Sequence, residues 1–343
     1  MKVLLYTEGE SLIEKSGLGK SIRHQMRSLE LAGVEYTLDS ENDDFDIFHV
    51  NTYFPKSYLM AKAYRKEGKA IVYHAHSTEE DFRNSFLLSN QLSPLLKKWI
   101  KECYSLGDII ITPTPYSKDL LEGYGLEPPI YAISNGIELD SFKKIEGARQ
   151  IFCQKYGYDE DDKIIMGIGL YLRRKGIVDF VELAKRMPQY KFIWFGYSNP
   201  ITSTLDVQQA VKTELSNLNF AGYVENKDII LALQACDLYV FPTYEETEGI
   251  PAIEACAAGA DFIVRDIPVF DTWLENGLNC YKAINVDDFE KKINDFLKRR
   301  LPSLKDKAYK VAEERDLARI GQKLKSAYKH AMRLRDLRVK YDS

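Results

Sequence analysis

The stretch DLYVFPTYEETEGIPAIEACAAGADFIV, residues 237–264, reads as a strand, a turn, a helix and a second strand. Asp237–Pro242 is a short β-branched and aromatic run closed by a proline, and Asp261–Val264 is another. Between them Gly249, Ile250 and Pro251 open a helix that carries Glu254. The same rhythm extends back along the chain. Strands are predicted at Lys163–Gly169, Lys191–Gly196 and Leu218–Ala221, and an earlier set at Val3–Thr7, Asp46–Val50, Ala70–His74, Asp108–Pro113 and Ile130–Ser134, with helical patterns between most of them. Nearly continuous apolar strands alternating with helices predict an α/β fold of parallel sheets covered on both faces. Two such sets predict two Rossmann-like domains, with a break near residues 140–160, where NGIELDSFKKIEGARQIF and YDEDDK interrupt the strands. Open sheets of this kind take ligands outside the carboxyl ends of their strands, so two facing domains predict a site in a central cleft.

Composition agrees with a folded chain of this size. Of 343 residues, 45% are hydrophobic and 29% charged, which excludes disordered and low-complexity classes. The longest uninterrupted apolar run, Ile164–Leu172, falls far short of the roughly 20 residues that cross a bilayer. Met1–Tyr6 leads straight into Glu8 and Glu10 without an apolar signal core, so an intracellular protein is expected. The five cysteines are scattered and form no CxxC pair, which supports neither a disulfide framework nor a zinc site. Residues 291–343 hold 17 basic against 7 acidic side chains, whereas the rest of the chain is acidic. That asymmetry predicts one local anionic partner rather than a nucleic-acid protein, which would need interleaved aromatic and basic platforms.

Four segments carry candidate chemistry. SGLGKSIRHQMRSLELAG puts Gly17 and Gly19 at the start of a helix, where backbone approaches a ligand closely and the N-terminus favours an anion; a merely structural turn is the alternative. YHAHSTEEDF sets His74 and His76 at the end of a strand, as substrate-facing groups, core histidines or a two-histidine metal site, the last without a third ligand at a recognisable spacing. GIGLYLRRKG delivers Arg173, Arg174 and Lys175 to the end of another strand, a seat for phosphate oxygens or a solvated charge run. In the opening segment, Glu245, Glu246 and Glu248 crowd the helix that begins at Gly249, Ile250 and Pro251. Its free amides suit a diphosphate, and carboxylates beside a diphosphate must face the hydroxyl-bearing part of the ligand. That pattern implies a sugar nucleotide.

Taken together, the segments resemble the retaining glycosyltransferases of family 4, with the two-domain GT-B architecture, over nearly the whole chain. The paired glutamates Glu246 and Glu254 in EETEGIPAIEA carry the resemblance, with Gly17, Gly19, His76, the linker Asn135–Glu138 and Lys175 in matching order. The resemblance implies that Glu246 holds a donor-sugar hydroxyl, that Glu254 holds the ribose, and that the amides at Gly249–Pro251 face the diphosphate. Leu170 stands where many members have an arginine, so Arg173 or Arg174 must supply that charge. GLY followed by RKG, and HSTEEDF, further resemble Gram-positive synthases that glycosylate diacylglycerol lipids.

The expected arrangement is an acceptor domain over residues 1–145, a nucleotide-sugar domain over 146–305, and a basic terminal helix over 306–343 crossing back to the first domain. The expected reaction moves a hexose from UDP-glucose or UDP-galactose to glucosyl-diacylglycerol. Polysaccharide or teichoic acid precursors, or a sugar-nucleotide epimerase, are the alternatives, and a silent membrane scaffold is the non-enzyme one. His76, Lys175 and Glu246 are expected to be catalytic, with no cofactor and no metal holding the diphosphate. Lys175→Ala is expected to cost rate with little loss of stability. FLLSNQLSPLLKKWIK, residues 86–101, mixes apolar residues with Lys97, Lys98, Trp99 and Lys101, as an interfacial segment does. With the basic terminal helix it predicts an anionic membrane surface as partner, on the inner face of the cell membrane.

Overall fold

The computed structural model describes residues 1–9, 17–85, 88–199 and 203–342. They form two compact units. In the first, strands β1 (Lys2–Tyr6), β2 (Glu35–Thr37), β3 (Ile47–Val50), β4 (Ala70–His74), β5 (Ile109–Thr112) and β6 (Ile130–Ala132) make one six-stranded sheet in the order β2-β1-β3-β4-β5-β6. All its pairings are parallel, with Val3 opposite Ile47, Ile47 opposite Ala70 and Val72 opposite Ile109. β3, β4 and β5 are buried at every position, as their unbroken apolar and β-branched sequences require.

The second unit repeats the plan. Strands β7 (Ile164–Ile168), β8 (Lys191–Phe195), β9 (Leu218–Gly222), β10 (Leu238–Phe241), β11 (Phe262–Arg265) and β12 (Tyr281–Ala283) are all parallel, in the order β12-β11-β10-β7-β8-β9. Strand order reverses between β7 and β10, and loops leaving the carboxyl ends of strands at such a point diverge and leave room for a ligand. The helices that matter for the site are α1 (Gly17–Leu31), α2 (Pro55–Lys66), α3 (Ser89–Tyr104), α4 (Ile177–Arg186), α5 (Ile250–Ala258), α6 (Lys305–Glu313) and α7 (Leu317–Asp342).

The division differs from the expected one in three places. The amino-terminal part of the first unit ends at Glu138, not residue 145. Helix α6 stays with the second unit because Ala308, Val311 and Ala312 bury their side chains and α6 packs on α5, so the return begins at Arg315 rather than residue 306. Glu80–Gln91, although flanked by first-unit sequence, belongs to the second unit.

Helix α7 packs on α1 and β4 of the first unit. Leu317, Ile320, Leu324, Ala327 and Ala331 follow helical spacing and are buried, so the apolar stripe is spent internally and is not a membrane face. The two helices touch closely at Gly321, where a Cβ would stand 2.1 Å from the Ser28 carbonyl oxygen. Arg338 fastens the far end: its guanidinium grips buried Asp108 at 2.8 and 3.2 Å and donates to the carbonyls of Arg65 at 2.7 Å and Lys69 at 2.9 Å. Arg338→Ala is expected to cost about 2–3 kcal/mol, because it leaves a buried carboxylate with Arg65 as its remaining cationic partner. Urea unfolding measures this, and an unchanged midpoint would remove the clasp.

Two of the expected membrane residues have internal partners instead. Lys97 pairs with buried Glu79 at 3.2 Å and lies 4.2 Å from the Tyr124 ring centroid. Trp99 donates its indole N–H to the Tyr53 carbonyl at 2.6 Å and packs on Tyr58 of α2. Both hold α3 to the sheet. Lys98 and Lys101 remain exposed beside exposed Leu92 and Leu95, and α2 exposes Lys56, Leu59, Lys62 and Lys66. Phe86 and Leu87 lie outside the described residues. Among the described residues no helix is long and apolar enough to cross a membrane.

Candidate active site

In the second unit the chain leaves β7 through a short 3-10 turn, Arg173–Lys175, and enters α4 at Gly176. Gly176 has φ 76°, and a Cβ there would lie 2.2 Å from the Pro242 carbonyl oxygen, so only glycine lets this turn lie against the end of β10. The close approach joins the two expected catalytic residues of this unit. Lys175 Nζ donates to Glu246 Oε1 at 2.5 Å, and Thr243 Oγ1 donates to the same oxygen at 2.8 Å. Among the described residues Glu246 Oε2 accepts no hydrogen bond from the chain.

The pair stays charged. Burial pulls the Glu246 carboxyl upward, but Lys175 and Arg174 outweigh it and hold the group below its ordinary range. Burial lowers the Lys175 ammonium against the opposing pull of Glu246. Arg174 stands with this pair: Nε donates to Ser85 Oγ at 2.9 Å and Nη1 to the Glu245 carbonyl at 3.3 Å. Arg173 turns outward, 59% exposed, to an ion pair with Asp206 at 3.2 Å. Of the two arginines, Arg174 is the one that stands beside the Lys175–Glu246 pair. Next in sequence, α5 starts at Ile250 and Pro251 after Gly249, whose φ is 89°. Glu248 and Glu254 are buried, at 2% and 3% exposure.

The Glu80–Gln91 segment brings side chains that the sequence reading did not assign. Besides Ser85, the Asn84 carbonyl accepts from the Arg174 amide at 3.4 Å, and the Asp81 charge raises the affinity of Lys175 for its proton. The acidic and aromatic HSTEEDF was the signal, but nothing in it says that the segment changes unit.

In the first unit, α1 opens at Gly17 with Gly19 buried, and residues 10–16 before it lie outside the described set. Ser21 hydrogen-bonds Asn135 of the linker, and His24 Nδ1 meets the Gly136 carbonyl at 3.0 Å. At the ends of β3 and β4 three histidines stack: His74 lies parallel to His76 at 4.0 Å and to His49 at 5.2 Å between ring centroids. Parallel rings do not aim their nitrogens at a common point, and among the described residues no His, Cys, Asp or Glu group is arranged to hold a metal ion. Gln25, Asn51 and Tyr328 surround the stack.

Burial pushes His49 and His76 down to about 3, and His74 well below its ordinary value. Unfolded histidine takes its proton near pH 6.5. Unfolding therefore takes up protons between those limits, and stability, complete above about pH 6.5, should fall by about 1.4 kcal/mol per pH unit for each histidine as pH drops. Melting temperature against pH measures this, and His49→Gln should flatten the slope; an unaltered slope would place the proton uptake elsewhere.

Residues 19–141 match the family described as Glycosyltransferase Family 4, and residues 148–315 match Glycosyl transferases group 1. The chain is 37% identical to the processive diacylglycerol alpha-glucosyltransferase of Acholeplasma laidlawii, over 98% of this chain and 100% of that protein. It is 22% identical to the alpha-galactosylglucosyldiacylglycerol synthase of Streptococcus pneumoniae, over 87% and 81% respectively. The crystal structure of Anabaena HepE in complex with UDP and glucose superposes with a TM-score of 0.77 at 16% identity, covering 96% of this chain and 99% of that one. The two parallel sheets of this chain, and its full-length match to a glycosyltransferase, place it in the GT-B glycosyltransferases that join a family 4 region to a group 1 region.

Proposed function

We propose that the protein moves glucose from UDP-glucose to a diacylglycerol glycolipid, with glucosyl-diacylglycerol as acceptor and with retention at the anomeric carbon. The observation that carries this reading is the buried Lys175–Glu246 pair at the reversal of the second sheet: a cation suited to a phosphate beside a carboxylate suited to sugar hydroxyls. The acceptor and the choice of glucose follow from the likeness to the diacylglycerol glucosyltransferase, and a sugar-diphosphate donor from the chemistry of the pair.

As the bond from the anomeric carbon to phosphate breaks, negative charge grows on the leaving diphosphate. Lys175, Arg174 and the amides at the start of α5 are set before the reaction begins, so they favour the transition state over the bound donor. Glu246, with Oε1 tied to Lys175 and Thr243, turns its other oxygen to a sugar hydroxyl. The acceptor oxygen attacks the face the phosphate leaves, and its proton passes to the departing phosphate oxygen. His76 orients a hydroxyl without serving as the base, Glu254 accepts from the ribose, and Glu248 supports the turn before Gly249.

The acceptor reaches the enzyme from the inner leaflet. Lys98 and Lys101, with Lys56, Lys62 and Lys66, present cations worth about 1 kcal/mol each near anionic lipid, and Leu92, Leu95 and Leu59 supply apolar contact. Lys98→Glu with Lys101→Glu should cut co-sedimentation with anionic vesicles at least tenfold, whereas unchanged binding would move the membrane face elsewhere.

The direct test gives purified protein UDP-glucose or UDP-galactose with diacylglycerol or glucosyl-diacylglycerol in anionic micelles, followed by product analysis. An α-linked diglucosyl lipid is expected. Donor conversion without acceptor would make it an epimerase, and transfer only to a water-soluble glycan would remove the lipid acceptor.

A further inference from the structure

The histidine stack is wired from its buried end. Tyr328 of α7 is fully buried, and its hydroxyl meets His49 Nδ1 at 2.6 Å. A phenol O–H is the stronger donor and a neutral imidazole nitrogen the stronger acceptor, and the short contact fits O–H···N. Tyr328 therefore donates, and the proton of neutral His49 sits on Nε2. That nitrogen faces His74 Nδ1 at 3.1 Å, which must accept.

The same logic then fixes two amides. Gln25 presents its Nε2 to His74 Nδ1 at 3.1 Å, and because that nitrogen carries a lone pair, shared with the His49 Nε2–H, the amide turns its NH2 that way. The other hydrogen of that NH2 reaches Asn51 at 2.8 Å, which makes the atom facing it Oδ1. His76 Nε2 meets this same Oδ1 at 2.9 Å and must carry a proton. Gln25 Nε2 and His76 Nε2, 3.4 Å apart, are then both donors and make no bond. Nothing is left for His76 Nδ1 but a lone pair.

We propose that Tyr328 is a positioning residue of the reaction: through His49, His74, Gln25 and Asn51 it sets the tautomer of His76, so that Nδ1 is held as a hydrogen-bond acceptor for a substrate hydroxyl. Only the identity of that hydroxyl rests on the proposed function; the order of protons does not. Burial keeps all three rings neutral, which the chain of donors requires. The terminal helix thus supplies the first donor of this chain of bonds, which leaves His74 Nε2, Gln25 Oε1 and Asn51 Nδ2 buried without a hydrogen-bond partner among the described residues.

The chain has five histidines, so nitrogen-15 spectra of the full-length protein, labelled at histidine and assigned by single substitutions, read each tautomer directly. His49, His74 and His76 should each show a protonated Nε2 and a bare Nδ1 at neutral pH. Tyr328→Phe should give averaged shifts at His74 and His76 and lower kcat about tenfold, with UDP affinity within twofold of the parent. A protonated Nδ1 on His74 or His76 in the parent, or Tyr328→Phe spectra identical to the parent's, would overturn the proposal. Should the variant fail to fold, the parent spectrum alone decides. Because these spectra need no substrate, absent lipid transfer with the expected tautomers would defeat the assigned acceptor and leave the relay standing.

Discussion

Lys175→Ala should lower kcat about 10²- to 10³-fold, the effect of deleting one preorganised group that stabilises developing negative charge. The buried pairing also changes what the substitution does to the fold. With its partner gone, the Glu246 carboxylate is left in a buried site with Arg174 as its nearest cationic support, and loss of one member of such a pair costs about 3 kcal/mol. The buried pairing therefore argues for a less stable variant than the sequence alone suggests. Steady-state rates taken well below the lowered melting temperature separate the two effects. Lys175→Arg, which keeps the charge with a different reach, should recover part of the rate. Turnover within tenfold of the parent in Lys175→Ala would remove the diphosphate role.

Glu246→Gln should reduce kcat/KM for the UDP-hexose about 10²-fold while UDP affinity, measured by calorimetry, stays the same or rises. The amide keeps a partner for Thr243 but removes the charge that holds the Lys175 proton, so Lys175 loses its proton at lower pH than in the parent. The alkaline limb of the rate profile should therefore move toward neutral pH. Equal losses in UDP affinity and turnover would mean that the glutamate only shapes the turn.

Much of this arrangement is legible in the sequence because parallel strands announce themselves. Ala70–His74 and Lys191–Phe195 are continuous apolar or aromatic runs, and both lie where they are expected. Glu35–Thr37 and Tyr281–Ala283 are not expected. Each is a three-residue edge strand, too short for its composition to stand out from a loop. Lys175 and Glu246 are legible as candidates because each follows a strong strand, but only the packing of Gly176 on Pro242 makes them partners.

Long-range partners are where reading by composition fails. Lys97 and Trp99 have the residue types of an interfacial helix, yet Glu79 and the Tyr53 carbonyl claim them. A charged or aromatic side chain carries no local mark of whether its partner is water, lipid or protein. Likewise Tyr328 lies 279 residues from His49, and no window of sequence could join them. The passage of Glu80–Gln91 into the second unit has the same origin, since its partner Arg174 is supplied by a distant loop.

The return of α7 also orders events during synthesis. Every residue of the second unit has been translated before Leu317 is, so that unit can finish its core while the first still lacks a layer. Until α7 emerges from the ribosome, Val3, Ile47, Val72 and Ile109, whose cluster includes Ile320, Leu324 and Tyr328, have an open side. The nascent protein therefore carries an unfinished, adhesive amino-terminal half through most of its own translation, and a chaperone that shields it would act before release and have little left to bind afterwards.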